Sequence, residues 1–246
     1  MTNQLKSSLR DGRPQIGLWC SLANPFSAEV LAGSGADWLL IDGEHSPNDL
    51  RSIAAQLQAV SSYPLEPVVR IPVHDPVLIK QYLDIGARSL MIPNIRTVEE
   101  AERVVAATRY PPDGFRGYSV ASRANRFGRV PNYHALAHED ICLVLQIEDA
   151  EGVANAVGIG AVEGVDNLFV GPSDLSANLG HMGNPGAEAV QAAIASVIAS
   201  GHSSGILAPV EADAKRYLEQ GATLVAVGGD VGLLAKNADA LVGRFK

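Results

Sequence analysis

The sequence predicts an α/β protein built as a single (β/α)8 TIM barrel, on three observations. Eight short apolar runs rich in β-formers recur along its 246 residues. Stretches with helical spacing separate most of them. Several runs stay apolar on consecutive positions, the pattern of parallel strands covered on both faces. Eight such units in this length suit a closed barrel. A doubly wound sheet is the competing fold, but no GxGxxG follows the first run, where its dinucleotide-binding form places one.

The first strand is QIGLWCS, residues 15–21, and the return GAD leads into the second, DWLLID, residues 37–42. SPNDLRSIAAQLQAV, residues 46–60, has helical spacing and precedes the third strand, EPVVRI, residues 66–71. DPVLIKQYLDIG is the next helix, and its DIGAR marks the return into the fourth strand, SLMIP. TVEEAERVVAATR follows as a helix. Residues 110–133, YPPDGFRGYSVASRANRFGRVPNY, then form an irregular stretch longer than an ordinary connection, which implies a functional or contact-forming role. ICLVLQIE and NLFVG are the fifth and sixth strands. GAEAVQAAIASVIASG is a helix, SSGILA the seventh strand, VEADAKRYLEQG a helix returning at QGAT, and TLVAVGG the eighth strand. No linker, repeat or low-complexity tract divides the chain, so residues 1–246 are expected to form one domain.

Hydrophobic residues at 47% and charged residues at 19% suit a sizeable core rather than disorder. A net charge of -8 and a pI near 5.2 argue against a nucleic-acid partner. Cys20 and Cys142 each sit in an apolar run and read as reduced, buried thiols of a cytoplasmic protein. The first residues lack a signal-peptide core, and no apolar run approaches the roughly 20 residues of a membrane span. No membrane partner is expected.

In a barrel, the groups that meet substrate lie at the C-terminal ends of the strands and in the loops that follow. Here the second strand runs into Asp42, Glu44 and His45, and the third ends in Arg70. The fourth ends in Asn94, the fifth in Gln146 and Glu148, and the sixth runs into Ser173 and Asp174. Gln146 and Glu148 are two apart and share a face of their strand. A carboxylate facing a barrel interior is costly unless paired or metal-bound, and Asp174 is a natural second ligand for Mg²⁺ or Mn²⁺. The alternative is that Glu148 pairs with a buried arginine while Asp174 caps the helix near Leu175.

Arg70 shares a face with Val68, so it either clamps a substrate anion or neutralises Glu148 or Asp84. His45 titrates near neutrality and suits a proton carrier, against the alternative of a surface histidine at a helix start. Asp42, Glu44 and Asp84 are all candidates to support it, and Glu44 could instead cap the helix after it. VGGD, residues 227–230, is either a phosphate-binding helix start or a bare turn, and His181 reads as a surface-loop residue.

In their order and spacing, GLWCSLANPFSAEVLAGSGADWLLIDGEHSPND, PVVRIP, IGARSLMIPNI, YPPDGFRGYSVASRANRFG, LQIED, NLFVGPSDLSANLG and YLEQGATLVAVGGD resemble the HpcH/HpaI class II, metal-dependent pyruvate aldolases. The resemblance spans nearly the whole chain. It implies a barrel that assembles as a homohexamer, a trimer of dimers exchanging the last helix, here near VGLLAKNADALVGRF. It implies Glu148 and Asp174 as ligands of a divalent ion, Mg²⁺ or Mn²⁺ with Co²⁺ or Zn²⁺ as alternatives. Gln146 and the backbone at Ser173 and Asp174 would contact the oxo acid, Arg70 would stabilise developing negative charge, and His45 would be the base, supported by Asp84 or Asp42. Ser173 departs from the alanine of close family members and adds a hydroxyl beside the oxo acid.

The implied reaction is reversible cleavage of a 4-hydroxy-2-oxo acid into an aldehyde and pyruvate or a related 2-oxo acid, such as hydroxypyruvate. Such a cleavage needs an electron sink, which a divalent ion bound by the 2-oxo acid supplies by stabilising the enolate. The competing readings are a related lyase for oxaloacetate, malate-type or acyl-CoA substrates, and a non-catalytic oxo-acid-binding module. The four arginines of residues 116–129 belong to a segment that precedes a strand, which puts it at the rim opposite the site.

Overall fold

A computed structural model describes residues 3–246. The chain begins with helix α1 (Gln4–Arg10), strand β1 (Gln15–Cys20), α2 (Pro25–Ala32) and β2 (Trp38–Asp42). It continues through α3 (Leu50–Ala59), β3 (Glu66–Arg70), α4 (Pro76–Asp84), β4 (Ser89–Ile92) and α5 (Val98–Thr108). After the long connection come α6 (Tyr133–Asp140), β5 (Cys142–Ile147), α7 (Ala150–Gly160), β6 (Asn167–Val170) and α8 (Pro172–Asn178). The chain then runs through α9 (Glu188–Ile198), β7 (Ser204–Leu207), α10 (Glu211–Glu219), β8 (Leu224–Gly229) and α11 (Asp230–Gly243).

The strands close in sequence order, all parallel, with β8 returning to β1. The predicted (β/α)8 barrel is therefore the fold.

Strand alternation divides the apolar side chains into two layers. Trp19, Leu40, Val68, Met91, Val144 and Phe169 fill the barrel interior. Their neighbours Ile41, Val69, Leu90, Leu143, Leu145 and Leu168 face the helices. At the narrow base, the Trp38 indole occupies the space a side chain on Gly17 would need, and its ring meets Phe169 edge-on at 6.2 Å. Leu5 and Leu9 of α1 join this interior cluster. Asn3 anchors that helix: its side chain accepts from Lys6 N at 3.1 Å and donates to Ser89 Oγ at 2.8 Å.

The helices start where side chains satisfy their free N–H groups. Asp49 accepts from Arg51 N and Ser52 N at α3, and Thr97 forms a reciprocal pair with Glu100 at α5. Asp75 does the same at α4, and Asn24 at α2, each ahead of a proline in the first helical turn. Cys20 and Cys142 are buried free thiols, and burial pushes Cys20 up to about 12. No described helix is long and apolar enough to cross a membrane.

Residues 110–132 form no helix or strand, as expected, and pack at the rim where helices feed strands. There Arg116 is buried, with Nη2 donating to Asp84 Oδ1 at 2.8 Å, and Arg123 Nη1 donates to Ile85 O at 2.9 Å. Asp84 closes α4. It thus lies at the N-terminal rim of the barrel, where within one chain it cannot support His45 or receive Arg70. Within the chain, the direction of the helix that carries it therefore sets Asp84 apart from His45 and Arg70.

Candidate active site

On β3 the inward positions read Glu66, Val68, Arg70, and on β5 they read Cys142, Val144, Gln146, with Glu148 next in the same sense. The interior thus passes from apolar to ionisable at the C-terminal rim. Asp42, Arg70, Gln146 and Glu148 are all at least nine-tenths buried there. Asp42 and Arg70 are direct partners in the β2–β3 register. Arg70 Nε and Nη2 donate to Asp42 Oδ1 and Oδ2 at 2.9 and 2.7 Å, the planar fork-on-carboxylate geometry. Its Nη1 lies 3.0 Å from Glu44 Oε2, and its Cζ stands 5.1 Å from the centre of the Trp19 ring. Arg70 therefore holds Asp42 and Glu44, and acts on Glu148 through charge alone.

Asp42 also builds the turn that follows β2. Its Oδ1 accepts from Glu44 N at 3.0 Å and His45 N at 3.3 Å, and Trp19 Nε1 donates to its Oδ2 at 3.3 Å. Ser46 Oγ and Asn48 Nδ2 donate to its carbonyl oxygen. Asp42 therefore positions His45 through the backbone rather than through the imidazole. The carboxylate beside the ring is Glu44, whose Oε2 lies 3.9 Å from His45 Nε2. Asp49 caps α3, so Glu44 is free for this place, which sequence spacing alone left open.

Burial sets the acidities, modulated by the guanidinium. Burial raises the Asp42 carboxyl, but the Arg70 contacts and the backbone donors bring it below its ordinary range. Burial pushes Glu44 upward against the opposing charges of Arg70 and His45. Glu148 is pushed up to about 7, first by burial and then by the negative charges of Glu44 and Asp174. Gln146 Nε2 donates to Glu148 Oε2 at 3.1 Å, and the other amide atom, Oε1, is buried without a hydrogen-bond partner among the described residues. Gly171 makes room for this group: a Cβ there would stand 2.5 Å from Glu148 Oε2.

Asp174 lies in the first turn of α8 and makes no cap hydrogen bond, so the helix-capping alternative does not hold. It lines, with Glu148, Glu44, His45, Asn94 and Arg96, a cleft of about 280 Å³ at the C-terminal rim. Ser173 is exposed in the same turn, and its carbonyl accepts from Ser176 Oγ at 2.7 Å. Among the described residues no cluster of three or more metal-ligating side chains forms. The donor chemistry instead fits a hard divalent ion held by two carboxylates, because Glu148 and Asp174 face one cleft and the Asp174 charge helps push Glu148 up. A larger cavity, about 690 Å³, opens at the opposite rim beside Lys6, Arg109 and Asp166, away from this chemistry.

Two sequence features resolve as structural. Asp230 of VGGD accepts from Ser21 N and Leu22 N at 2.9 and 3.0 Å, pinning the loop after β1 to the start of α11. His181 is an exposed loop residue. Arg96 at the cleft mouth was missed, although its place two residues past Asn94 after the fourth strand was a readable signal.

Residues 15–237 match the model of the HpcH/HpaI aldolase/citrate lyase family. The chain belongs to that family. Over 250 aligned residues it is 53% identical to a 4-hydroxy-2-oxo-heptane-1,7-dioate aldolase of Salmonella typhimurium, covering 100% of this chain and 95% of that protein. The crystal structure of an HpcH/HpaI aldolase/citrate lyase family protein from Burkholderia cenocepacia superposes with a TM-score of 0.96 at 43% identity, covering 99% of each chain. The HpcH/HpaI aldolase structure from Desulfitobacterium hafniense gives 0.90 at 28% identity, covering 98% of this chain and 96% of that one. As a member of the HpcH/HpaI family with aldolase relatives, the chain is an enzyme that cleaves carbon–carbon bonds.

Proposed function

We propose that the protein is a divalent-metal-dependent aldolase that reversibly splits 4-hydroxy-2-oxo acids into an aldehyde and pyruvate or a related 2-oxo acid. The observation that carries this reading is the shared placement of Glu148 and Asp174 at one cleft, with the Arg70 guanidinium below and His45 at the side. Glu148 and Asp174 would hold Mg²⁺ or Mn²⁺. When bound, the ion supplies a Lewis acid that accepts electron density from the cleaved bond.

The chain's own residues supply the rest. Arg70, locked by Asp42, places fixed positive charge where the oxo acid becomes more negative and needs no rearrangement to do so. Gln146 and the backbone of Ser173 and Asp174 orient the oxo acid, and the Ser173 hydroxyl adds a contact suited to hydroxypyruvate. His45 takes the proton of the 4-hydroxyl during cleavage and returns it during condensation. Its exposed ring and the Glu44 carboxylate nearby support that role. Asp42 is a positioning residue for the His45 turn.

The proposal extends to assembly and place. Among the described residues of α11 only Asp230 is buried, while Val231, Leu233, Leu234, Leu241 and Val242 are exposed. These apolar groups support a helix exchanged between subunits of a homo-oligomer, within the hexameric arrangement the family resemblance implies. The buried thiols support a cytoplasmic location, and residues 1–246 are read as one barrel domain.

The deciding experiment is pyruvate-dependent aldol formation with a small aldehyde, before chelation, after it, and after return of Mg²⁺ or Mn²⁺. Loss on chelation and recovery on addition are expected. Full activity after exhaustive chelation, or a borohydride-trapped lysine adduct, would sink the metal mechanism.

A further inference from the structure

One guanidinium at the cleft mouth has no part in the roles above. Arg96 Nε lies 2.7 Å from Asp149 Oδ2 and donates to Asn94 Oδ1 at 3.0 Å. Both anchors are themselves fixed. Asp149 is buried, and its other oxygen accepts from Gly152 N at 2.8 Å at the start of α7. Asn94 holds a left-handed backbone, φ 58°, between β4 and α5. The Arg96 main chain is tied on both sides: its N–H donates to Glu100 Oε2 and its carbonyl accepts from Asn155 Nδ2, each at 2.8 Å.

This arrangement commits Nε to holding the side chain in place. Nη1 and Nη2 make no hydrogen bond to any described residue, and the side chain is 46% exposed. Among the described residues lining the cleft, Arg96 is the one guanidinium, set among Glu44, Glu148, Asp149 and Asp174. An anionic reactant is repelled by such a rim unless a fixed cation receives it. Arg70 lies below, buried at the floor with Nε and Nη2 on Asp42, where the reading above gives it to the oxo acid, out of reach of a tail at the mouth. The open edge of the Arg96 fork presents two parallel donors, the match for a carboxylate.

We propose that Arg96 is the residue that selects the aldehyde half of the substrate, favouring aldehydes that carry a distal carboxylate, which its Nη1 and Nη2 receive at the cleft mouth. The assignment rests on the aldolase reading above. It places recognition of the oxo acid at the floor and recognition of the aldehyde tail at the mouth, on separate cations.

The test uses the full chain with Mn²⁺ and pyruvate, and compares succinic semialdehyde with butanal, a neutral aldehyde of equal carbon count. Aldol rates of each variant are normalised to its own pyruvate methyl-proton exchange, which needs no aldehyde. Wild type is expected to favour the anionic aldehyde. Arg96→Gln is expected to lose about 10- to 100-fold in kcat/KM for that aldehyde, mainly through KM, and no more than about threefold for butanal, as for loss of a charge-assisted contact. Arg96→Lys should recover part of the loss, since it restores the charge without the fork. Equal effects on both aldehydes, or a wild type indifferent to the carboxylate while pyruvate exchange proceeds, would overturn the Arg96 assignment alone. Absence of pyruvate exchange in wild type would overturn the aldolase reading and the assignment with it.

Discussion

Asp42 and Arg70 occupy paired positions on adjacent strands and meet through two bonds of 2.9 and 2.7 Å at the floor of the cleft. Both are buried, so neither charge tolerates loss of the other. Asp42→Ala is expected to lower unfolding free energy by about 3–5 kcal/mol, the cost of leaving a buried partner unpaired. Arg70→Met in the same chain should recover part of that loss. Urea unfolding of the two single variants and the double variant measures the coupling; strict additivity would show that the two groups act independently.

The same pair sets an acid limit. Burial raises the Asp42 carboxyl, but Arg70 and the Glu44 and His45 amides hold it below its ordinary 3.8. With the folded value below the unfolded one, the unfolded chain binds the extra proton as pH falls through that window. The stabilisation is thus complete above the unfolded value and disappears as pH falls through the folded one. The stability gap between wild type and Asp42→Asn should be widest above pH 3.8 and narrow below it. Urea midpoints on both sides of that pH test this, and a constant gap would contradict it.

Ion binding and proton transfer should separate by residue. Glu148→Gln and Asp174→Asn are each expected to weaken Mn²⁺ binding by at least about tenfold in calorimetry, as loss of one of two carboxylate ligands implies. His45→Asn should leave that affinity nearly unchanged and lower turnover by about 10²- to 10⁴-fold. Equal loss of Mn²⁺ affinity in all three would refute the division.

Gly171 offers a test that removes no functional group. A Cβ there would stand 2.5 Å from Glu148 Oε2 and 2.9 Å from Glu148 Cβ, so Gly171→Ala must displace Glu148. Circular dichroism should show an intact fold with a stability cost of about 1–3 kcal/mol, the usual cost of overpacking. Mn²⁺ affinity should fall in the same variant. Unchanged affinity would mean that Glu148 does not hold the ion from its present position.

The barrel was legible because its strands are short, largely apolar runs set between helical stretches: DWLLID became Trp38–Asp42 and ICLVLQIE became Cys142–Ile147. Helix α7 was not, since AEGVANAVGIG carries three glycines that lower helix propensity. Tertiary packing explains all three: a Cβ on Gly152 would stand 2.8 Å from Ile95 O, one on Gly158 2.9 Å from Val98 Cγ2, and one on Gly160 2.5 Å from the His202 ring. At the site, Arg70, Gln146 and Glu148 followed from alternation along a strand. The DIGAR return after Asp84 marks the opposite rim, which is where the chain itself holds that carboxylate. Glu44 escaped because spacing cannot say which of three nearby acids turns toward an imidazole; the Asp42 side chain settles that by taking the backbone of the turn for itself.

Glu148 and Asp149 are joined by one peptide bond and line one cleft, yet serve different depths of it. Glu148 turns inward to the floor, while Asp149 caps α7 and grips Arg96. A chain built this way can drift in what it admits without disturbing what it does to it. Exchanging Asp149 or Arg96 retunes the entrance, whereas the neighbouring Glu148 stays fixed by Gln146 and Gly171. The alternation of an extended backbone thereby insulates reactivity from taste, and diversification among barrels of this kind has a natural seam along which to proceed.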